Sequence, residues 1–195
     1  LNTNNGATTT ANITRLNSVT WIGGASGDWF DAKNWAGGAV PDLSNVANVI
    51  IPVNTLVSFN GMEATPVSLD SLGNQGALAM MAGALNVGNG GVSLGGFNQT
   101  GGSVSTTGNF AVTQAKDNTQ VGNLTVGGNL SLTNTNGSIS QLANSTVAVK
   151  GTTTLVGGTE GKPTDVSLNS NTNSFAGGVS ATGKDVVLNA NGALT

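Results

Sequence analysis

The residues best equipped for chemistry lie in one short stretch. Trp21, Trp29 and Trp35 are the three tryptophans of the 195-residue chain. At this spacing they could form an aromatic platform for stacking sugar rings. The structural alternative is that they cover an apolar end or flank of the fold, as large buried aromatics do. Asp28, Asp31 and Asn34, with Asp42 close by, could gather around Ca²⁺, which takes roughly six to eight oxygen ligands. No EF-hand spacing or Gly-Gly-x-Gly-x-Asp array supports that reading, and Gly27-Asp28-Trp29 and Phe30-Asp31-Ala32 suit turn and cap chemistry equally well. The chain has no His and no Cys. This excludes a Ser-His-Asp triad, a Cys-His pair, a zinc site of the usual ligands and a disulfide. Asp165 and Asp185 could stack as the paired carboxylates of a glycosidase, with Lys184 beside them, but a repeat echo explains them more simply. The expectation is no catalytic residue, no enzyme and no cofactor.

The elements that must position these residues are set by an internal repeat. "GNFAVTQA" at 108–115 aligns with "GNLSLTNT" at 128–135, and "DVSLNSN" at 165–171 with "DVVLNAN" at 185–191. Both offsets are 20 residues. Apolar-x-apolar cores recur at Val92-x-Leu94, Phe110-x-Val112, Leu130-x-Leu132, Val147-x-Val149, Val166-x-Leu168 and Val186-x-Leu188. Each reads as a short strand of period 2. Weaker strands fall between them at Val104, Leu124-x-Val126, Ile139, Leu155 and Val179, separated by Gly and Asn turns. Short strands without intervening helix, repeating every ~19–20 residues, predict an all-β parallel solenoid. An antiparallel sandwich is the competing fold, but it needs no such repeat. Residues 61–195 are expected to form the coils, about seven of them, or ~34 Å of rod at ~4.8 Å per coil. Residues 1–60, with the tryptophans, Pro41 and Pro52, are expected to form an irregular, cap-like segment. Within them 48–59 reads as a strand or strand pair. The Ala/Met-rich 77–87 reads as a strand pair interrupted by Gly83, with a helical turn as the alternative.

Composition agrees with coils. The chain holds 30 Gly, 26 Asn, 25 Thr and 17 Ser, and only 8% of it is charged. Gly and Asn supply turn conformations with positive φ. Like charges at equivalent positions would stack at ~4.8 Å, which disfavours charge. The Asn-x-Asn pairs Asn134/Asn136, Asn169/Asn171 and Asn189/Asn191 suggest a structural ladder at one corner. Six Lys and Arg cannot make the basic footprint of a nucleic-acid binder. No apolar run approaches a membrane span. With no leader and no initiating Met, the chain reads as a mature product or a fragment.

One segment carries a resemblance. Trp21-x-Gly-Gly, Gly27-Asp28-Trp29, Asn34-Trp35-x-Gly-Gly-x-Val40-Pro41 and Asn48-Val49-x-Ile51 resemble a segment of large bacterial surface passengers. These are exoproteins of the filamentous-haemagglutinin-like (two-partner secretion) and autotransporter adhesin type. Residues 165–195 loosely resemble their degenerate coils. Asn48 departs from the pattern, where Asp is usual. The resemblance implies a right-handed parallel β-helix exported to the outer cell surface, and export also accounts for the absence of Cys. The expected function is a non-enzymatic extracellular structural or adhesive solenoid, a segment of a secreted or surface-displayed adhesin. A filament subunit assembling end to end is the alternative, prompted by the abrupt end at "NANGALT". A carbohydrate-binding module is the third reading. Expected partners are further copies of the chain or a cell-surface protein or glycan.

Overall fold

The computed structural model describes residues 15–62 and 64–194. The fold is an all-β solenoid in which nearly every strand pairs in parallel with the strand one coil away. One 3-10 turn, Ala32–Asn34, is the only helical element among the described residues. Each coil has three faces. The first face stacks Leu16–Thr20, Val46–Ile50, the end of Val67–Gly73, the end of Ala84–Leu94, Phe110–Gln114, Leu130–Asn134, Thr153–Thr159 and Val179–Thr182. The second stacks eight strands, from Ser26–Asp28 through Leu56–Asn60, Ala77–Ala82 and Gly96–Gln99 to Val186–Leu188. The third runs from 67–69 through 84–87, Ser103–Thr106, Asn123–Val126 and Val147–Val149 to Ser174–Phe175. Val67–Gly73 and Ala84–Leu94 bend from the third face onto the first, so their pairing slips between Leu69 and Ser71.

The alternation of side chains builds the core. On Phe110–Gln114 the residues Phe110, Val112 and Gln114 are buried, because successive strand residues point to opposite sides. Leu130 and Leu132 continue the column one coil on, in register with Phe110 and Val112. A single apolar column runs from Val19 to Phe175. The 77–87 segment is two strand pieces with Gly83 at the bend (φ +86°).

Two expectations about the repeat need correction. The six aligned apolar cores do not form one stack. Val92, Phe110 and Leu130 share the first face, but Val147 pairs with Leu124 on the third and Val166 with Ile139 on the second. The true successor of Leu130 is Thr153. All three faces carry the same inward pattern, so similarity alone cannot tell them apart once coil length changes. The coils also begin before residue 61. Val46–Ile50 pairs with residues 71–73, and Leu56–Asn60 pairs with Ala77–Ala82, so the sheets cross residue 60 without a break. The eight strands of the second face make seven steps, about 34 Å, counted from Ser26 rather than from residue 60.

The Trp segment is an insertion in the first turn. Residues 29–45 leave the second face and return to the first without a strand on the third. Asn34–Ala36 folds back antiparallel to residues 20–22: Ile22 donates to the Asn34 carbonyl and Ala36 to that of Thr20. That contact covers part of the outer edge of Leu16–Thr20, which would otherwise offer open pairing groups.

Candidate functional site

Trp21, Trp29 and Trp35 come together, but inside. They are 3%, 0% and 1% exposed. Their rings meet edge to face, Trp21 with Trp35 at 5.1 Å and Trp29 with Trp35 at 4.9 Å, and Trp29 continues onto Phe59 at 5.3 Å. Trp35 Nε1 donates to the Trp29 carbonyl at 2.7 Å and Trp21 Nε1 to that of Gly24 at 2.9 Å. Burial is what makes aromatic pairs of this geometry worthwhile, and it leaves no ring face for a sugar. The three tryptophans are a plug in the first turn.

Asp28, Asp31 and Asn34 are committed to local turns. Asp28 Oδ1 accepts the Phe30 N–H at 2.9 Å, and Asp31 Oδ1 caps the 3-10 turn through the Lys33 N–H at 3.0 Å. Asn34 Nδ2 donates to the Asp28 carbonyl. No cluster of three or more acidic, His or Cys side chains able to hold a metal occurs among the described residues. Asp42 makes the most structured carboxylate contact. Its two oxygens accept the N–H groups of Ser44 (3.1 Å) and Ser68 (3.1 Å), tying the insertion to the third face. Partial burial raises its pKa, but those donors outweigh burial and hold the carboxyl below the usual aspartate range. Asp165 and Asp185 precede paired strands, and both are exposed. The Asp185 carboxylate lies 3.5 Å from Lys184 Nζ.

The asparagine pairs split between two corners. Asn169 and Asn189 stack after the second face, with Asn189 Nδ2 donating to the Asn169 carbonyl at 3.0 Å. Asn171 is exposed, and Asn191 donates its backbone N–H to Asn173. Asn134 lies elsewhere, fully buried after the first face, and its Oδ1 accepts from the N–H groups of Asn136 and Gly137. Asn136 Oδ1 in turn accepts from Lys162 Nζ.

Sequence reasoning named Asn134 at a corner but missed the other inward amides that shape the corners. Gln114 Nε2 donates to the carbonyls of Lys116 and Asn118, while its Oε1 accepts from the Phe97 N–H and Thr119 Oγ1. Asn134 Nδ2 reaches the Asp117 carbonyl between them. Three consecutive carbonyls of the 115–118 corner are thus pinned from inside. Gln99 and Asn173, with the half-buried Gln141, do the same after the second face. Such side chains stay buried because every polar atom finds a partner. A Gln or Asn at an inward strand position, as in Phe110-x-Val112-x-Gln114, was the available signal.

Corner length also varies where the first face meets the second. The connection takes residues 51–55, then 74–76, then Gly95 alone, then 115–118. Two short corners between longer ones leave a notch of about 410 Å³. Gly95 and Gly96 lie on its floor, and a Cβ on Gly95 would strike the Gln75 carbonyl. Val53 and Leu56 line one side, 62% and 44% exposed. Lys116 and Asp117 line the other. Asn54 (φ +62°), Asn74 (+89°), Gln75 (+65°) and Asp117 (+57°), four of the five non-glycine residues with positive φ among the described residues, sit in these corners. Such conformations are uncommon outside glycine and concentrate at functional sites. The notch is the candidate site.

No curated protein and no solved structure matches the chain. Over residues 107–182, which include the 115–118 wall of the notch, the chain is similar to a family model described as repeats of unknown function (DUF5649).

Proposed function

We propose that the chain is a non-enzymatic structural and adhesive solenoid segment acting outside the bacterial cell, a stiff rod that carries binding features on its corners. The observation that carries this reading is the corner between the third and first faces. It takes three residues in five successive coils, at 88–90, 107–109, 127–129, 150–152 and 176–178. Its backbone is bonded from coil to coil, Gly108 to Gly88, Gly128 to Gly108 and Gly151 to Gly128. Asn109 and Asn129 add side-chain ties, accepting from the N–H groups of Asn129 and Thr152 at 2.9 Å each. A continuous bonded edge resists bending, which suits a spacer, and the Trp/Gly resemblance of residues 20–52 to surface passengers supports the location. Beads coated with the purified chain should be retained on an epithelial cell layer under flow more than albumin-coated beads, with soluble chain competing. Equal retention of both bead types would refute an adhesive role.

End-to-end assembly is a second reading. It is favoured by Val186 and Val187 on the last rung, 42% and 47% exposed. A second copy stacking there would make apparent mass rise with concentration in light scattering, and a constant monomer mass excludes it.

A further inference from the structure

We propose that the notch between the 51–55 and 115–118 corners seats an extended, uncharged segment of a partner protein, whose aliphatic side chains lie against Val53 and Leu56. Corners of three residues and one residue stand between corners of five and four. Two recessed rungs at ~4.8 Å each leave a slot about 10 Å wide that runs along the strands. That is the width of a single extended chain. Gly95 and Gly96 contribute backbone rather than side chains to the lining, and the close packing of Gly95 on the Gln75 carbonyl keeps that rung recessed.

The lining selects the occupant. Val53 and Leu56 are exposed aliphatics held on one corner and the strand after it, an arrangement that burial under an apolar side chain would stabilise. Asn54, Gln75 and Thr113 carry donors and acceptors that match peptide groups. Lys116 and Asp117 stand side by side on the far wall, and neither forms an ion pair among the described residues. Their charges cancel, so the notch is electrically neutral and complements a neutral ligand rather than an acidic or basic one. No aromatic side chain lines it, which removes the usual stacking surface for a sugar. The far wall is already rigid, since Gln114 and Asn134 hold its carbonyls, and little ordering remains to oppose binding.

The test is a titration of isotope-labelled chain with the blocked peptide Thr-Val-Thr-Val-Thr, followed by NMR. Backbone amides of Gln75, Gly95, Gly96 and Lys116 should shift, with an affinity that changes less than about twofold between roughly 50 and 500 mM salt. Replacing both peptide valines with Glu or with Lys should abolish the shifts. Thr113→Trp, which fills the notch from an exposed position, should weaken binding about tenfold or more. Leu56→Asp is the second variant, should the first not fold. Three outcomes overturn the proposal: no shifts at millimolar peptide, shifts mapping elsewhere, or undiminished binding by a folded notch variant. A fourth does too, namely cellohexaose shifting these amides while the peptide does not. Bead retention under flow is a separate readout, so failure here and failure of the adhesive reading are told apart.

Discussion

The corner between the third and first faces and the corner between the first and second faces perform the same task, turning the chain between strands, under opposite constraints. One uses three residues per coil in five successive coils; the other ranges from Gly95 alone to the 51–55 loop and the hairpin of Gly158 with Pro163. At the uniform corner each coil rests on the next. A Cβ on Gly128 would lie 2.8 Å from the Gly108 carbonyl carbon and would collide with Asn109 Oδ1. At the variable corner backbone bonds also join neighbouring coils, as from Gly76 to Ile51, Gly95 to Gly76 and Thr135 to Gln114, but loop length is free to change and inward amides such as Gln114 hold the longer loops. A repeat can therefore hold one corner to a fixed length while the length of another changes from coil to coil.

Breaking the uniform corner should have the largest effect. Gly128→Val is expected to cost about 3 kcal/mol or more, as overpacking against backbone does, and a urea melt would register it as a lowered midpoint. Removing an inward amide should come next. Gln114→Ala leaves the Phe97 N–H and the Lys116 and Asn118 carbonyls without that partner, at a cost of about 2 kcal/mol. Hydrogen exchange should show the 115–118 corner opening first.

A smaller effect is expected at Asp42, where the Trp insertion takes the place of a third-face strand. A carboxylate whose pKa is lowered by folding stabilises the fold above the unfolded-state pKa and loses that contribution as pH falls through the folded value. Asp42→Asn should cost about 1 kcal/mol or less near neutral pH, given partial solvent screening. The gap between wild type and variant should close as pH drops below about 3.9. A gap that widens in acid would contradict the assigned contacts. Smallest of all, two glycines inserted between Glu160 and Gly161, at the exposed hairpin tip of the variable corner, should change stability by about 0.5 kcal/mol or less, whereas the same insertion between Gly127 and Gly128 should disrupt the stack. Equal costs at the two sites would abolish the distinction between the corners.

The fold was legible because the strand pattern repeats locally. The pair Phe110-x-Val112 and Leu130-x-Leu132 fell on one column as their 20-residue offset requires. Beyond them the offset grows, to 23 residues from Leu130 to Thr153 and 26 from Thr153 to Val179. A polar Thr153 at an inward position hid the next member, and Val147 on another face took its place in the alignment. The tryptophans were legible as a closing device, since their size demanded burial. The notch was not, because it is made by residues that are missing. Nothing in Leu94-Gly95-Gly96 states that the neighbouring corners are longer until the rungs are laid one on another.

The pairing register has a kinetic consequence. Parallel partners lie between 18 residues apart, as Val92 and Phe110 do, and 30, as Leu16 and Val46 do. All-β proteins generally fold slowly because distant segments must find one another. Here each coil needs only its predecessor, so structure can propagate by nearest-neighbour addition. A chain that emerges progressively from one end could deposit coils one at a time, with roughly a single coil of unfolded chain exposed at any moment.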